Sequence, residues 1–212
     1  MQAPPTSPQA HRRARLGAWV LGIAASVAVA AGLPGVEHEK WSDEFDPHFR
    51  KYSKRYFGPH FDWHWFKAQG IVEYRLNPKA KSPAGAVGIM QVLPSTFEEI
   101  AKVNPSFVLI DEPEWNIAAG IYYDRTMYRK WPTPRPSEDR LFLAFASYNA
   151  GYGRVLRALK SAGADTAPWS KIRPMLPSET RAYLDRISTV MGTEADRPPP
   201  ARGIEAILKR RS

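Results

Sequence analysis

From Trp63 to Gly192 the apolar positions recur mostly at helical spacing, and short polar punctuation marks where each run begins and ends. Asp62 is placed to cap a helix running toward Glu73, with Trp65, Ala68, Gln69 and Val72 near one face. Ser95 and Glu98 have the Ser-x-x-Glu spacing of a capping box, which predicts a helix ending before Asn104-Pro105. Glu112 to Trp131 alternates apolar and polar groups as another helix. Ser137 caps the next one, whose run Leu141 to Ala146 is apolar on all sides and is therefore expected at the centre of the fold. Ser178 opens a last helix that ends at Met191, with Gly192 at its C-terminal cap. The fold class is mostly α, with room for a small β-hairpin among the glycines between Ser82 and Gly88.

A different pattern occupies the N-terminus. Arg12, Arg13 and Arg15 precede an 18-residue stretch, Leu16 to Leu33, that carries no charge. Basic residues followed by an apolar run form an export signal, with Ala28-Val29-Ala30 as a cleavage site. The same run is just long enough for an uncleaved anchor in the inner membrane. A soluble core helix would show a polar face over five turns, and this one shows none. The expected organisation is an apolar N-terminal helix, signal or anchor, over 1–33; a linker and lead-in over 34–56; a catalytic domain over 57–192; and a Pro-rich, basic tail over 193–212. Either use of the N-terminus sends the remainder of the chain out of the cytoplasm.

Composition narrows the chemistry. The 212 residues carry a formal charge of +9, seven Trp and no Cys. The charge favours a polyanionic partner such as cell wall, lipid or nucleic acid. Nucleic acid rests on charge alone, and export argues against it. Without Cys there are no disulfides, thiolate metal sites or thiol nucleophiles. No Gly-x-Ser-x-Gly elbow and no phosphate-binding glycine loop is present. His60 and His64 are four residues apart with no evident third ligand, so neither a metal nor any other cofactor is expected.

The most informative stretch runs from Glu73 to Gln91. Glu73 follows Ile71-Val72, and Asn77-Pro78 stops the helix just beyond it. The negative end of the helix and partial desolvation both disfavour the ionised carboxylate, so its pKa should be raised. A carboxyl kept protonated near neutral pH is the acid that glycosidic cleavage requires.

The order Glu73-x-x-x-Asn77-Pro78, then Ser82-Pro83-x-Gly85-Ala86-x-Gly88-Ile89-Met90-Gln91, resembles the catalytic domain of the soluble lytic transglycosylases, relatives of goose-type lysozyme. Ala146-Ser147-Tyr148-Asn149-Ala150-Gly151 and Glu179-Thr180-Arg181-Ala182-Tyr183 are similar to two further motifs of that family and come in the same order. The resemblance covers roughly Trp63 to Met191. It implies a lysozyme-like α-helical fold acting on peptidoglycan glycan strands, with Glu73 protonating the bond between N-acetylmuramic acid and N-acetylglucosamine. The same carboxylate would then take the proton of the sugar's 6-hydroxyl to close a 1,6-anhydro ring. It further implies that Ser82 and Gln91 bind the sugar together with Met90, that Tyr148 and Asn149 line the cleft, and that Tyr183 holds Glu73 with Glu179 nearby. Tyr74 stands where the family usually has Ser, and Leu76 where an aromatic is common. The alternatives are a muramidase that admits water at the same cleft, and an inactive peptidoglycan-binding module. A monomer is expected.

Overall fold

The computed structural model describes residues 41–131, 135–163 and 166–192. The apolar N-terminal segment and the Pro-rich tail of the sequence reading lie outside them. Among the described residues no helix is long and apolar enough to cross a membrane.

The described residues form α1 (Asp46–Phe57), α2 (His64–Tyr74), α3 (Pro94–Val103), α4 (Pro113–Lys130), α5 (Ser137–Ala150), α6 (Tyr152–Ser161), α7 (Trp169–Ile172), a 3₁₀ turn (Arg173–Met175) and α8 (Ser178–Val190). In α5 the residues from Leu141 to Ala150 are all buried, as an element with no polar face must be. It packs against α4, α6 and α8, while α1 lies on α4 and α2 pairs with α8. Two helices from opposite ends of the domain thus meet, and Glu73 and Tyr183 lie at their contact.

Three features differ from the sequence expectation. The second half of the 34–56 lead-in is a helix of the fold, because Phe49 and Tyr52 of α1 bury fully in the core and Asp46 pairs with the buried Lys67 of α2. No strand forms among the described residues. The 82–88 segment makes two isolated antiparallel bridges, Lys81 with Val87 and Val87 with Val92, in place of a hairpin. The expected serine caps stand inside their helices: Ser95 is the second residue of α3, after Pro94, while Ser137 and Ser178 are the first residues of α5 and α8, each after a proline. A proline before the helix pre-sets the backbone, and no side-chain cap bond forms at these three ends. Asp62 does tie down the start of α2, its Oδ1 accepting the His64 backbone N–H at 3.0 Å and the ring Nδ1 at 2.6 Å.

Candidate active site

Glu73 sits on the last turn of α2, and the way that helix stops decides where its carboxyl goes. Arg75 and Leu76 follow with φ of 56° and 59°, two consecutive left-handed residues that are not glycine. Arg75 N–H donates to Ile71 O at 2.8 Å and Leu76 N–H to Gly70 O at 3.3 Å, so the chain folds back under its own helix. Left-handed backbone costs about 1 to 2 kcal/mol per residue. Burial of the Leu76 side chain offsets a similar amount, about 2 kcal/mol. The Arg75 guanidinium lies 5.0 Å from the ring centre of Trp41, which anchors the other residue. With the helix closed in this way, Glu73 faces the interior and is only 9% exposed.

The carboxyl meets α8 there. Tyr183 Oη donates to Glu73 Oε1 at 2.6 Å, a short charge-assisted contact across 110 residues of sequence. Burial pushes the Glu73 pKa from 4.5 up to about 7, against the Tyr183 hydrogen bond and the positive charge of Arg186, which both hold it down. The direction is the one expected for a carboxyl at a helix C-terminus. Its larger cause is desolvation, and the ionised form is kept within reach by one phenol and one guanidinium. Burial together with the negative charge of Glu73 pushes the Tyr183 hydroxyl well above its ordinary range, so it acts as a donor only.

The wall of the site is the segment from Ser82 to Val92, and helices behind it hold it from the back. Asn116 of α4 is buried and makes three bonds: its Oδ1 accepts Met90 N–H at 2.8 Å, and its Nδ2 donates to Val87 O at 2.9 Å and Ile110 O at 3.1 Å. Gly88, with φ of 76°, lies so close that an added Cβ would sit 2.5 Å from the Asn116 amide nitrogen. Gly120 performs the same service for Met90, whose Cβ would be 2.7 Å from any side chain there. Tyr148 Oη donates to Met90 O at 2.6 Å, and Gln91 Nε2 donates to Gly88 O at 2.9 Å. Ser82 Oγ accepts Ala86 N–H at 3.0 Å and closes the turn at the outer end.

These positions sort the expected site residues. Glu73 and Tyr183 come together directly. Met90 was expected to touch sugar; it is instead fully buried against α4, because its backbone is pinned from both sides. Gln91 and Tyr148 are also buried, with Gln91 at φ of 46°. Ser82 is half-buried, Asn149 is nearly buried beside Tyr148, and Glu179 is exposed one turn before Tyr183 on α8. Tyr148 is close enough to the carboxylates of Glu73 and Asp124 that both push its hydroxyl up, after burial.

Sequence reasoning missed Asn116, Gln69 and Asp124. Asp124 of α4 is fully buried, its Oδ1 3.5 Å from Gln69 Nε2 of α2. Burial, and then the charge of Glu73, push its carboxyl well above the ordinary range, so a second acid lies within electrostatic reach of Glu73. A signal was present: Ile117, Gly120, Ile121, Asp124 and Tyr128 fall on one apolar stripe of α4, and an Asp on such a stripe needs a reason.

Residues 53–168 match the family profile described as the transglycosylase SLT domain, more than half of the chain. The chain belongs to the SLT transglycosylase domain family. It is 34% identical over 134 residues to membrane-bound lytic murein transglycosylase F of Pseudoalteromonas translucida, covering 62% of this chain and 27% of that one. It is 36% identical to the protein of the same name from Vibrio cholerae, covering 62% and 23%. The chain therefore spans about a quarter of the length of these relatives. Among solved structures it resembles the 70 kDa soluble lytic transglycosylase SLT70 of Escherichia coli, with a TM-score of 0.57 at 23% identity over 78% of this chain and 27% of that one. A complex of the 70 kDa soluble lytic transglycosylase with bulgecin A matches with a TM-score of 0.58 at 25% identity, covering 78% and 27%.

The SLT match ends before α8 begins. The phenol that fixes the Glu73 carboxyl therefore lies outside the matched span, and α8 completes the site. Chemically, the arrangement is a buried carboxyl with a pKa raised to about 7, oriented by one donor, beside a buried segment whose backbone is bonded by Asn116 and Tyr148.

Proposed function

We propose that this SLT-domain chain is a peptidoglycan lytic transglycosylase, cleaving the β-1,4 bond between N-acetylmuramic acid and N-acetylglucosamine with formation of 1,6-anhydro-N-acetylmuramic acid. The observation that carries the reading is Glu73: buried, aimed by Tyr183, and poised at about 7. In the first step its proton goes to the glycosidic oxygen as the bond to the anomeric carbon breaks. In the second, the resulting carboxylate takes the proton of the muramyl 6-hydroxyl while that oxygen bonds to the anomeric carbon. Glu73 is left protonated again and no water is consumed. One carboxyl serves both steps because the nucleophile belongs to the substrate and arrives at high effective concentration. Tyr183, by favouring the ionised form, assists the second step.

In the cleft, Ser82, Asn149 and Glu179 contact the glycan, and Met90, Gln91 and Tyr148 shape the wall against which it lies. The names of the relatives, membrane-bound murein enzymes, support a place in the bacterial envelope, on the periplasmic side. The N-terminal segment exports the domain or holds it at the inner membrane. The protein works as a monomer without metal or cofactor.

The test is mass analysis of fragments released from purified peptidoglycan by the chain and by its Glu73→Gln variant. Anhydro-muropeptides from the wild type and none from the variant are expected. Reducing-end products, heavier by one water, would make it a hydrolase, and no products from either would make it a binding module.

A further inference from the structure

Asp124 has no part in the mechanism above, yet it is buried beside it. Its surroundings are Gln69 and Glu73 on α2, Tyr123 on its own helix, Tyr148 on α5, and Tyr183 on α8, with Arg186 acting on Glu73 from the same helix. No cation is among the causes that shift it. Among the described residues its only hydrogen bond is the long one from Gln69 Nε2 to Oδ1. Two buried oxygens of this pair, Asp124 Oδ2 and Gln69 Oε1, have no hydrogen-bond partner among the described residues. Both are acceptors if the acid is ionised, and neither can then satisfy the other. One proton on Oδ2 turns one of these two acceptors into a donor.

We propose that Asp124 is a neutral positioning residue of the Glu73 site, its Oδ2 hydroxyl donating to Gln69 Oε1 while Gln69 Nε2 donates to its Oδ1, in a closed acid–amide ring. The inference rests on the proposed function for its catalytic meaning, and on the two unpartnered oxygens for its geometry. Gln69 stands one helical turn before Glu73, on the same face of α2. The ring ties that turn to α4, the helix that also carries Asn116 and the wall of the site. It also withholds a second negative charge from Glu73. An ionised Asp124 would repel the Glu73 carboxylate and make Glu73 too weak an acid to protonate a leaving oxygen at neutral pH. Burial supports the neutral form, since an isolated carboxylate with one weak donor is among the costliest groups to hold inside a protein.

The experiment reads the proton itself. Infrared spectra of the full chain are recorded at about pH 9, two units above the Glu73 value, where Glu73 is ionised. A carboxylic-acid C=O band should remain, persist in Glu73→Gln and vanish in Asp124→Asn. Asp124→Leu, which cannot close the ring, should lower kcat on peptidoglycan about tenfold with little change in KM. Asp124→Asn, which restores two bonds to Gln69 as an amide pair, should recover most of that loss. Absence of the band, or an Asn variant as impaired as the Leu variant, would overturn the proposal, the second because it would mean that an acid is needed. If the Leu variant does not fold, the band decides. The infrared arm uses no substrate, so an inactive wild-type chain would refute the proposed function and leave this question answerable.

Discussion

Two connections flank α3, and they are built in opposite ways. The one before it is buried without interruption from Ala86 to Val92, and the one after it, residues 104–112, buries Phe107 while exposing Val108 and Leu109 to solvent. Both join helices, and both contain apolar residues. The difference is what stands behind them. The first is bonded by Asn116, Tyr148 and its own bridges, and Gly88 and Gly120 let backbone and helix approach closely. The second is stapled mainly at Asn104, whose side chain bonds Ile100 O and whose carbonyl accepts Phe107 N–H, and at Ile110, whose carbonyl takes the remaining Asn116 bond. A loop that must present a surface beside a buried carboxyl needs its backbone groups satisfied in one arrangement, and side chains from the helices provide that.

The sharpest way to break this contrast is Asn116→Ala. It leaves the buried Met90 N–H without a partner, at about 1 to 3 kcal/mol, and takes one accepted bond from each of Val87 O, which keeps Val92 N–H, and Ile110 O, at about 1 kcal/mol each. A loss of roughly 3 kcal/mol or more in denaturant unfolding is expected, with activity falling in parallel. A loss below about 1 kcal/mol would mean that the wall does not depend on Asn116.

Next in size is the effect of Glu73 on stability. Its folded pKa of about 7 lies above the ordinary 4.5, so between these values the folded state holds a proton that the unfolded state has released. Stability therefore falls as pH rises through that window. Glu73→Gln should be more stable than wild type by up to roughly 3 kcal/mol above pH 7, with the gain vanishing below about pH 4. Thermal unfolding across pH measures it, and a gain that does not change with pH would contradict a buried, raised carboxyl.

Tyr183→Phe removes the bond that lowers the Glu73 pKa. The alkaline limb of the pH–rate profile should move upward by up to about one unit, and turnover should fall about tenfold. A limb that moves downward would show that the phenol acts in some other way. The smallest effect belongs to the outer connection: Val108→Ser and Leu109→Ser should each change stability by less than about 0.5 kcal/mol, because both side chains are already in water. A clearly larger loss would show that the second connection is as constrained as the first.

Much of the helical frame could be read from the chain because its signals are local. The apolar run of α5 allowed only a central position, and Asn77-Pro78 announced the end of α2. α1 was passed over because its basic residues mask Phe45, Phe49, Tyr52 and Tyr56, which recur at helical spacing. The capping serines fall one or two positions inside because proline, a weaker textual signal, already fixes those helix starts. At the site, motif order singled out Glu73 and Tyr183 although 110 residues separate them. Met90 carries no mark that tells a sugar contact from a core residue; Gly120 and Asn116 on α4 and Tyr148 on α5 hold it in the interior. Asp124 and Gln69 were passed over for the reverse reason: polar residues on apolar stripes, their meaning appears only when α2 and α4 face each other.

The central claim is that burial makes Glu73 an acid at neutral pH, and the measurement that tests it most directly is a carbon-13 NMR titration of its side-chain carboxyl in the intact chain, assigned by Glu73→Gln. The account predicts a midpoint near 7 that rises further in Tyr183→Phe. A midpoint near the ordinary 4.5 would mean that Glu73 is ionised at neutral pH and cannot be the group that protonates the glycosidic oxygen.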